Sequence, residues 1–194
     1  WPSFFFVSSP QGAGYLTLAG INGGNIMEIR KSSSGLLMRH QGETLLIQPW
    51  GENAFRIRAT KYPEFTGNNY ALEEEIPVAK KQADICIDPE GNSAEITNGR
   101  LKITVNPSGV LRFFRDGKQF LQEYHRNYDG SVSKESICMK LVGRHYQPIV
   151  GGHYELTVRF ESNDGEQFFG MGQYQQPYLD LKGCTLELVQ RNSQ

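Results

Sequence analysis

The sequence predicts an all-β chain folded as an antiparallel β-sandwich, on three observations. Apolar and polar residues alternate with a period of two over short runs. Turn dipeptides such as Asn98-Gly99 and Asp116-Gly117 punctuate those runs. No stretch of ten or more residues carries a clear helical stripe; YALEEEIPVAKKQADI comes nearest, and Pro77 interrupts it.

Taken in order, GETLLIQPW (42–50) reads as a strand. In NAFRIRAT, which starts at Asn53, Phe55, Ile57 and Ala59 fall on one face and Arg56 and Arg58 on the other, the pattern of a half-buried strand. The polar stretch from Tyr62 to Asp84 reads as a surface loop, with Glu73, Glu74 and Glu75 as a solvated face. AEITNGRLKITVNPSGVLRFFRDGKQFLQEY then predicts a four-stranded meander. Its turns are Asn98-Gly99, Asn106-Pro107-Ser108-Gly109 and Asp116-Gly117, and the first and last need φ > 0 at both central residues. In HYELTVRF, Tyr154, Leu156, Val158 and Phe160 alternate with Glu155, Thr157 and Arg159, and Asn163-Asp164-Gly165 closes that strand. CTLELV (184–189) is the last strand expected.

At 194 residues the chain reads as a single domain, 1–194, long enough to bury roughly 70% of its unfolded surface. Twenty basic residues balance 21 acidic ones, for a net charge of -1, so nothing electrostatic points to nucleic acid or an anionic membrane as partner. No apolar run approaches a membrane span of about 20 residues. Cys86, Cys138 and Cys184 are too sparse for a disulfide framework and read as reduced thiols in or near the core. The opening WPSFFFV lacks the basic flank and cleavage site of a secretory leader, and the absent initial Met suggests a trimmed start. With no N-x-Ser/Thr sequon either, the expectation is a cytoplasmic protein.

Spacing offers little conventional catalysis. His40, His125, His145 and His153 show no metal-ligand spacing, and no cofactor is expected. Gly170-Met171-Gly172 follows a strand without leading into a helix, which rules out a dinucleotide fingerprint. Asp129, Glu135, Asp164, Glu166 and Asp180 are the carboxylates a glycosidase could pair, but most lie in turns, where Asp is favoured for conformational reasons. A sugar epimerase would need clustered His and Glu; His125, His145 and His153 with Glu155 are the available set. Trp50, Tyr146, Tyr154, Tyr174 and Tyr178 could stack on sugar rings, although such residues mainly pack in a β protein.

The end of the chain is more specific. Glu166, Phe168, Phe169, Gly170, Met171, Gly172 and Gln173, in DGEQFFGMGQ, resemble the segment that leaves the N-terminal domain of family-31 glycoside hydrolases, the α-glucosidase and α-xylosidase family. The meander and ENAFRIRAT resemble earlier strands of the same domain, so the similarity runs from about 25 to 194. The resemblance implies a galactose-mutarotase-like sandwich placed ahead of a catalytic (β/α)₈ barrel. It also implies that the barrel, which holds both catalytic Asp residues, begins beyond Gln194. No catalytic residue is therefore expected here, and this chain alone should be inactive. Its partners would be its own barrel and an α-linked glycoside substrate. The family's Arg-Asp pair, which reaches the sugar pocket, looks like Arg191 and Asn192 here, making these the expected substrate-binding residues. Asn for Asp keeps an acceptor but loses the charge. Gln173 stands where the family has Glu, with the same loss. A free-standing carbohydrate-binding module and a mutarotase-like epimerase are the alternatives.

Overall fold

The computed structural model describes residues 4–7, 27–65, 83–90, 92–126, 141–170 and 177–186. The chain divides into two compact units, Trp1–Glu161 and Ser162–Gln194. No described residue is helical.

The first unit is a β-sandwich, as the alternation predicts. One sheet contains β1 (Phe4–Val7), β2 (Glu28–Ser32), β3 (Gly35–His40), β4 (Glu43–Pro49) and β5 (Phe55–Thr60), in the order β1-β5-β4-β3-β2. The other contains β6 (Asp84–Ile87), β7 (Ala94–Asn98), β8 (Leu101–Val105), β9 (Leu111–Arg115) and β10 (Lys118–Gln122), in the order β10-β9-β8-β7-β6. A separate hairpin pairs β11 (Arg144–Ile149) with β12 (His153–Val158). Every pair is antiparallel except β1 with β5, which is parallel.

One hydrophobic cluster spans both sheets, so they pack face to face. Leu36, Ile47 and Ile57 lie in register on the first sheet. Ile96, Ile103 and Phe113 do so on the second. Past β12 the chain joins the second sheet's edge, where Tyr124 N–H donates to Arg159 O (2.9 Å) and Glu161 N–H to Gln122 O (2.8 Å). Phe160 is thereby brought edge-on to Phe113, with ring centroids 6.2 Å apart.

The turns follow the predicted chemistry with one shift. Asp116-Gly117 takes φ of 50° and 80°, the mirror-image turn expected there. The first hairpin is displaced by one residue. Asn98 pairs with Leu101, so Gly99-Arg100 is the loop and only Gly99 has positive φ. Asn98 is instead held in the strand because its buried amide donates to Gly51 O (3.0 Å) and Ala54 O (2.9 Å). Gln41-Gly42 makes an unpredicted mirror-image turn, with φ of 49° and 74°.

Three expectations are corrected. NAFRIRAT is buried on both faces rather than half-buried. As an inner strand it carries Arg56 under cover, its guanidinium 5.3 Å from the Trp50 ring centre. Cys86 is exposed and Cys184 half-buried. On edge strand β6, Ile85 and Ile87 take the inner positions and Cys86 alternates outward. Residues 184–186 are not strand, while 187–189 and Cys138 lie outside the described residues.

In the second unit, Asp180 Oδ1 accepts from Phe168 N–H and Lys182 N–H, both at 3.0 Å. Lys182 Nζ donates to Asn163 O (2.7 Å).

Candidate functional site

Three turns converge at one end of the sandwich: Gln41-Gly42 between β3 and β4, Pro107–Gly109 between β8 and β9, and Gly143 ahead of β11. They surround a half-open cavity of about 450 Å³. Its inner wall is a buried charge network. Arg144 reaches two carboxylates from different sheets, Glu43 at the start of β4 and Glu123 just past β10.

All three guanidinium nitrogens of Arg144 are engaged. Nε donates to Glu43 Oε1 (2.8 Å) and Nη2 to Glu43 Oε2 (3.0 Å). Nη2 also donates to Gly109 O (2.9 Å). Nη1 donates to both oxygens of Glu123 at 2.5 Å. Tyr146 OH donates to Glu43 Oε1 (2.9 Å), and Leu111 N–H to Glu123 Oε2 (2.9 Å). The side chains of Arg144 and Glu123 are only 7% and 1% exposed, so the network is largely desolvated although it borders the cavity. Gly143 makes room for it, since a Cβ there would lie 3.0 Å from Glu123 Cβ.

Two carboxylates share one guanidinium, leaving one net negative charge. Burial, reinforced by the charge of Glu43, raises the Glu123 carboxyl above its usual range despite Arg144. Burial opposes the charge of Arg144 too, but Glu123 and Glu43 outweigh it and hold the guanidinium protonated. Burial and then the Glu43 carboxylate push the Tyr146 phenol up.

A raised carboxyl means that the folded state binds more protons than the unfolded one between the two pKa values. The contribution of Glu123 is therefore fully present below the ordinary Glu value of about 4.3 and declines as pH rises through the folded value. Glu123→Gln is expected to remove that decline. Urea unfolding from pH 4 to 8 checks it: the wild-type minus variant stability should fall with pH, and a flat difference would contradict the assignment.

His40, His125 and His145, three of the chain's four histidines, line the cavity together with Lys61. Lys61 Nζ donates to Gln41 O (2.5 Å) and lies 5.4 Å from the centre of the Tyr146 ring. The cavity thus unites His125 and His145 of the expected epimerase set, and adds His40. It does not include His153, whose Nδ1 is 3.2 Å from Tyr62 OH, nor exposed Glu155.

The other sequence candidates fare differently. Asp164, Glu166 and Asp180 are all in the second unit, where Asp180 caps backbone and Glu166 accepts from Asn163 Nδ2 (3.1 Å). Trp50 lies against Arg56, and Tyr154 packs edge-on to Tyr62 and Tyr146. Tyr178 is exposed. Arg191, Asn192, Gln173, Met171, Gly172, Tyr174, Asp129 and Glu135 lie outside the described residues. Glu43, Glu123 and Arg144 were not anticipated. Their signal was a charge beside a turn or a strand end, where charges are commonplace.

No protein-family profile matches the chain. Curated relatives do. It is 41% identical over 176 residues to an uncharacterised family 31 glucosidase of Pseudescherichia vulneris, covering 86% of this chain and 32% of that protein. It is 27% identical over 174 residues to α-xylosidase A of Aspergillus niger, covering 84% of this chain and 23% of that protein. Among solved structures it is similar to a GH31 α-xylosidase from a soil metagenome, crystallised with xylose. There the TM-score is 0.76 and the identity 41%, over 86% of this chain and 25% of that one. The chain therefore spans a third or less of the length of each of these proteins.

Proposed function

Because the chain is homologous to part of the family-31 glycoside hydrolases, we propose that it is the non-catalytic N-terminal β-sandwich of a retaining α-glycosidase, of α-glucosidase or α-xylosidase type. The observation that carries this reading is the 41% identity along 86% of the chain to proteins three to four times the matched length. Its work would be to pack on a catalytic barrel and to lend Arg191 and Asn192 to the sugar pocket. The parent would cleave by double displacement between two barrel carboxylates.

The state of the buried carboxylates supports an inactive chain. Retaining hydrolysis needs two carboxyl groups about 5–5.5 Å apart that can reach a sugar. Glu43 and Glu123 are instead both committed to Arg144. The same commitment argues against an epimerase, whose Glu must be available to take a proton.

The test compares this chain with the natural reading frame that contains it, on aryl α-glucoside and aryl α-xyloside. Turnover is expected only from the longer product, and Asn192→Ala in that product should raise KM at least about tenfold. Turnover by the 194-residue chain alone would overturn the reading.

A further inference from the structure

We infer that Tyr62 latches the free end of the β11–β12 hairpin to the first sheet, and that the latch holds His153 with its ring proton on Nδ1. The inference goes beyond the supporting-domain reading and stands without it, because every atom in it lies in the described sandwich.

The hairpin forms a two-stranded sheet of its own. Such a hairpin is marginally stable in water, so it needs anchors. At its base, Arg144 and Tyr146 bond to Glu43. At its other end Ile149 pairs with His153, and there the contact is Tyr62, two residues past β5. Tyr62 N–H donates to Thr60 Oγ1 (3.0 Å), which fixes the backbone as it leaves the strand. The Tyr62 ring packs edge-on to Tyr154, and Tyr154 edge-on to Tyr146, with centroids 5.8 and 6.2 Å apart.

The position of the proton follows from the hydrogen bonds. The Tyr62 hydroxyl lies 2.8 Å from Gly152 O and 3.2 Å from His153 Nδ1. It has one proton for two neighbours. A carbonyl can only accept, so the proton points at Gly152. Turned toward the imidazole instead, it would leave two lone-pair oxygens facing each other at 2.8 Å. The phenol oxygen keeps its capacity to accept, and His153 completes the set by donating from Nδ1. That holds whether the ring is neutral or charged. In the neutral ring it selects the Nδ1–H tautomer over Nε2–H, the form free histidine favours. The turn leaves space for the ring. Gly151 and Gly152 take φ of 95° and 76°, and a Cβ on Gly151 would lie 3.3 Å from His153 Cδ2.

Long-range 1H–15N spectra of the 194-residue chain at about pH 9, where imidazole is neutral, test the inference. His153→Gln assigns the signal by its loss. The wild-type ring is expected to carry its proton on Nδ1, a result that needs no folded variant. Tyr62→Phe keeps the ring and its contact with Tyr154 and loses only the hydroxyl. It should move the His153 proton to Nε2. At neutral pH it should also speed amide exchange at the hairpin end, residues 147–155, at least about fivefold. Unchanged shifts across both five-stranded sheets would verify the fold of the variant. A proton on Nε2 in the wild type would overturn the inference, as would the same tautomer in both proteins. Exchange at the hairpin end that the variant leaves unaltered would also overturn it.

Discussion

Arg144→Met is expected to destabilise the sandwich by about 3–5 kcal/mol, a lowering of the melting temperature by roughly 10 °C or more. The reason is what it leaves behind. Glu43 and Glu123 would remain buried with their countercharge gone, and Gly109 O would lose a donor. The size of the loss measures that stranded charge rather than any intrinsic benefit of the ion pairs. Two further measurements separate this cause from simple loss of packing. Below the carboxylate range the penalty should shrink, because a protonated Glu no longer needs the guanidinium. Adding Glu43→Gln and Glu123→Gln to the methionine variant should likewise restore much of the lost stability. A penalty that is the same at pH 4 and pH 8, and unchanged by the two glutamines, would place the effect in packing.

Phe113→Ala should cost about 3–5 kcal/mol by a different route. Phe113 has no exposed surface, sits in register with Ile103 on β8, and packs edge-on against Phe160. Removing its ring opens a cavity between the sheets and frees the chain segment that follows β12. The urea midpoint should fall with the m-value unchanged. Val150→Asp is the matched control. Val150 is fully exposed at the tip of the β11–β12 turn, and its replacement should move stability by no more than about 0.5 kcal/mol. Equal effects at the two positions would contradict the assigned core.

Legibility in the sequence followed the physics of each element. β7 to β10 were readable because turn sequences separate them and β7 and β8 alternate cleanly, so alternation and turn chemistry agree there. β5 and β12 were readable from alternation, and β4 as a short apolar run. β2 and β3 were missed: GLLMRH has consecutive apolar residues because both faces of β3 find some cover, and its turn to β4 uses Gln41, which rarely accepts positive φ. β6 lay hidden at the end of a polar stretch, as a four-residue edge strand with two outward polar positions. β11 carries Pro148 and several exposed residues, so it lacks an apolar face of its own.

The site was less legible than the fold because it is assembled from distant pieces. The epimerase grouping found two of the three histidines that border the cavity, but only the meeting of two sheets brings His40 beside them. A charge in a strand usually faces water. That Glu43 and Arg144 instead face each other depends on partners about a hundred residues away, which no local pattern encodes.

That separation has a consequence in time. Glu43 and Arg144 stand 101 positions apart, and Glu123 and Arg144 stand 21 apart. The clasp needs both sheets and the final hairpin in place, so it is expected to form late in folding. Interactions made that late hardly change the rate of folding and act almost wholly on the rate of unfolding. Arg144→Met is therefore expected to speed unfolding while leaving the refolding rate nearly unchanged, and stopped-flow urea jumps check it: an equal slowing of refolding would place the clasp in the transition state.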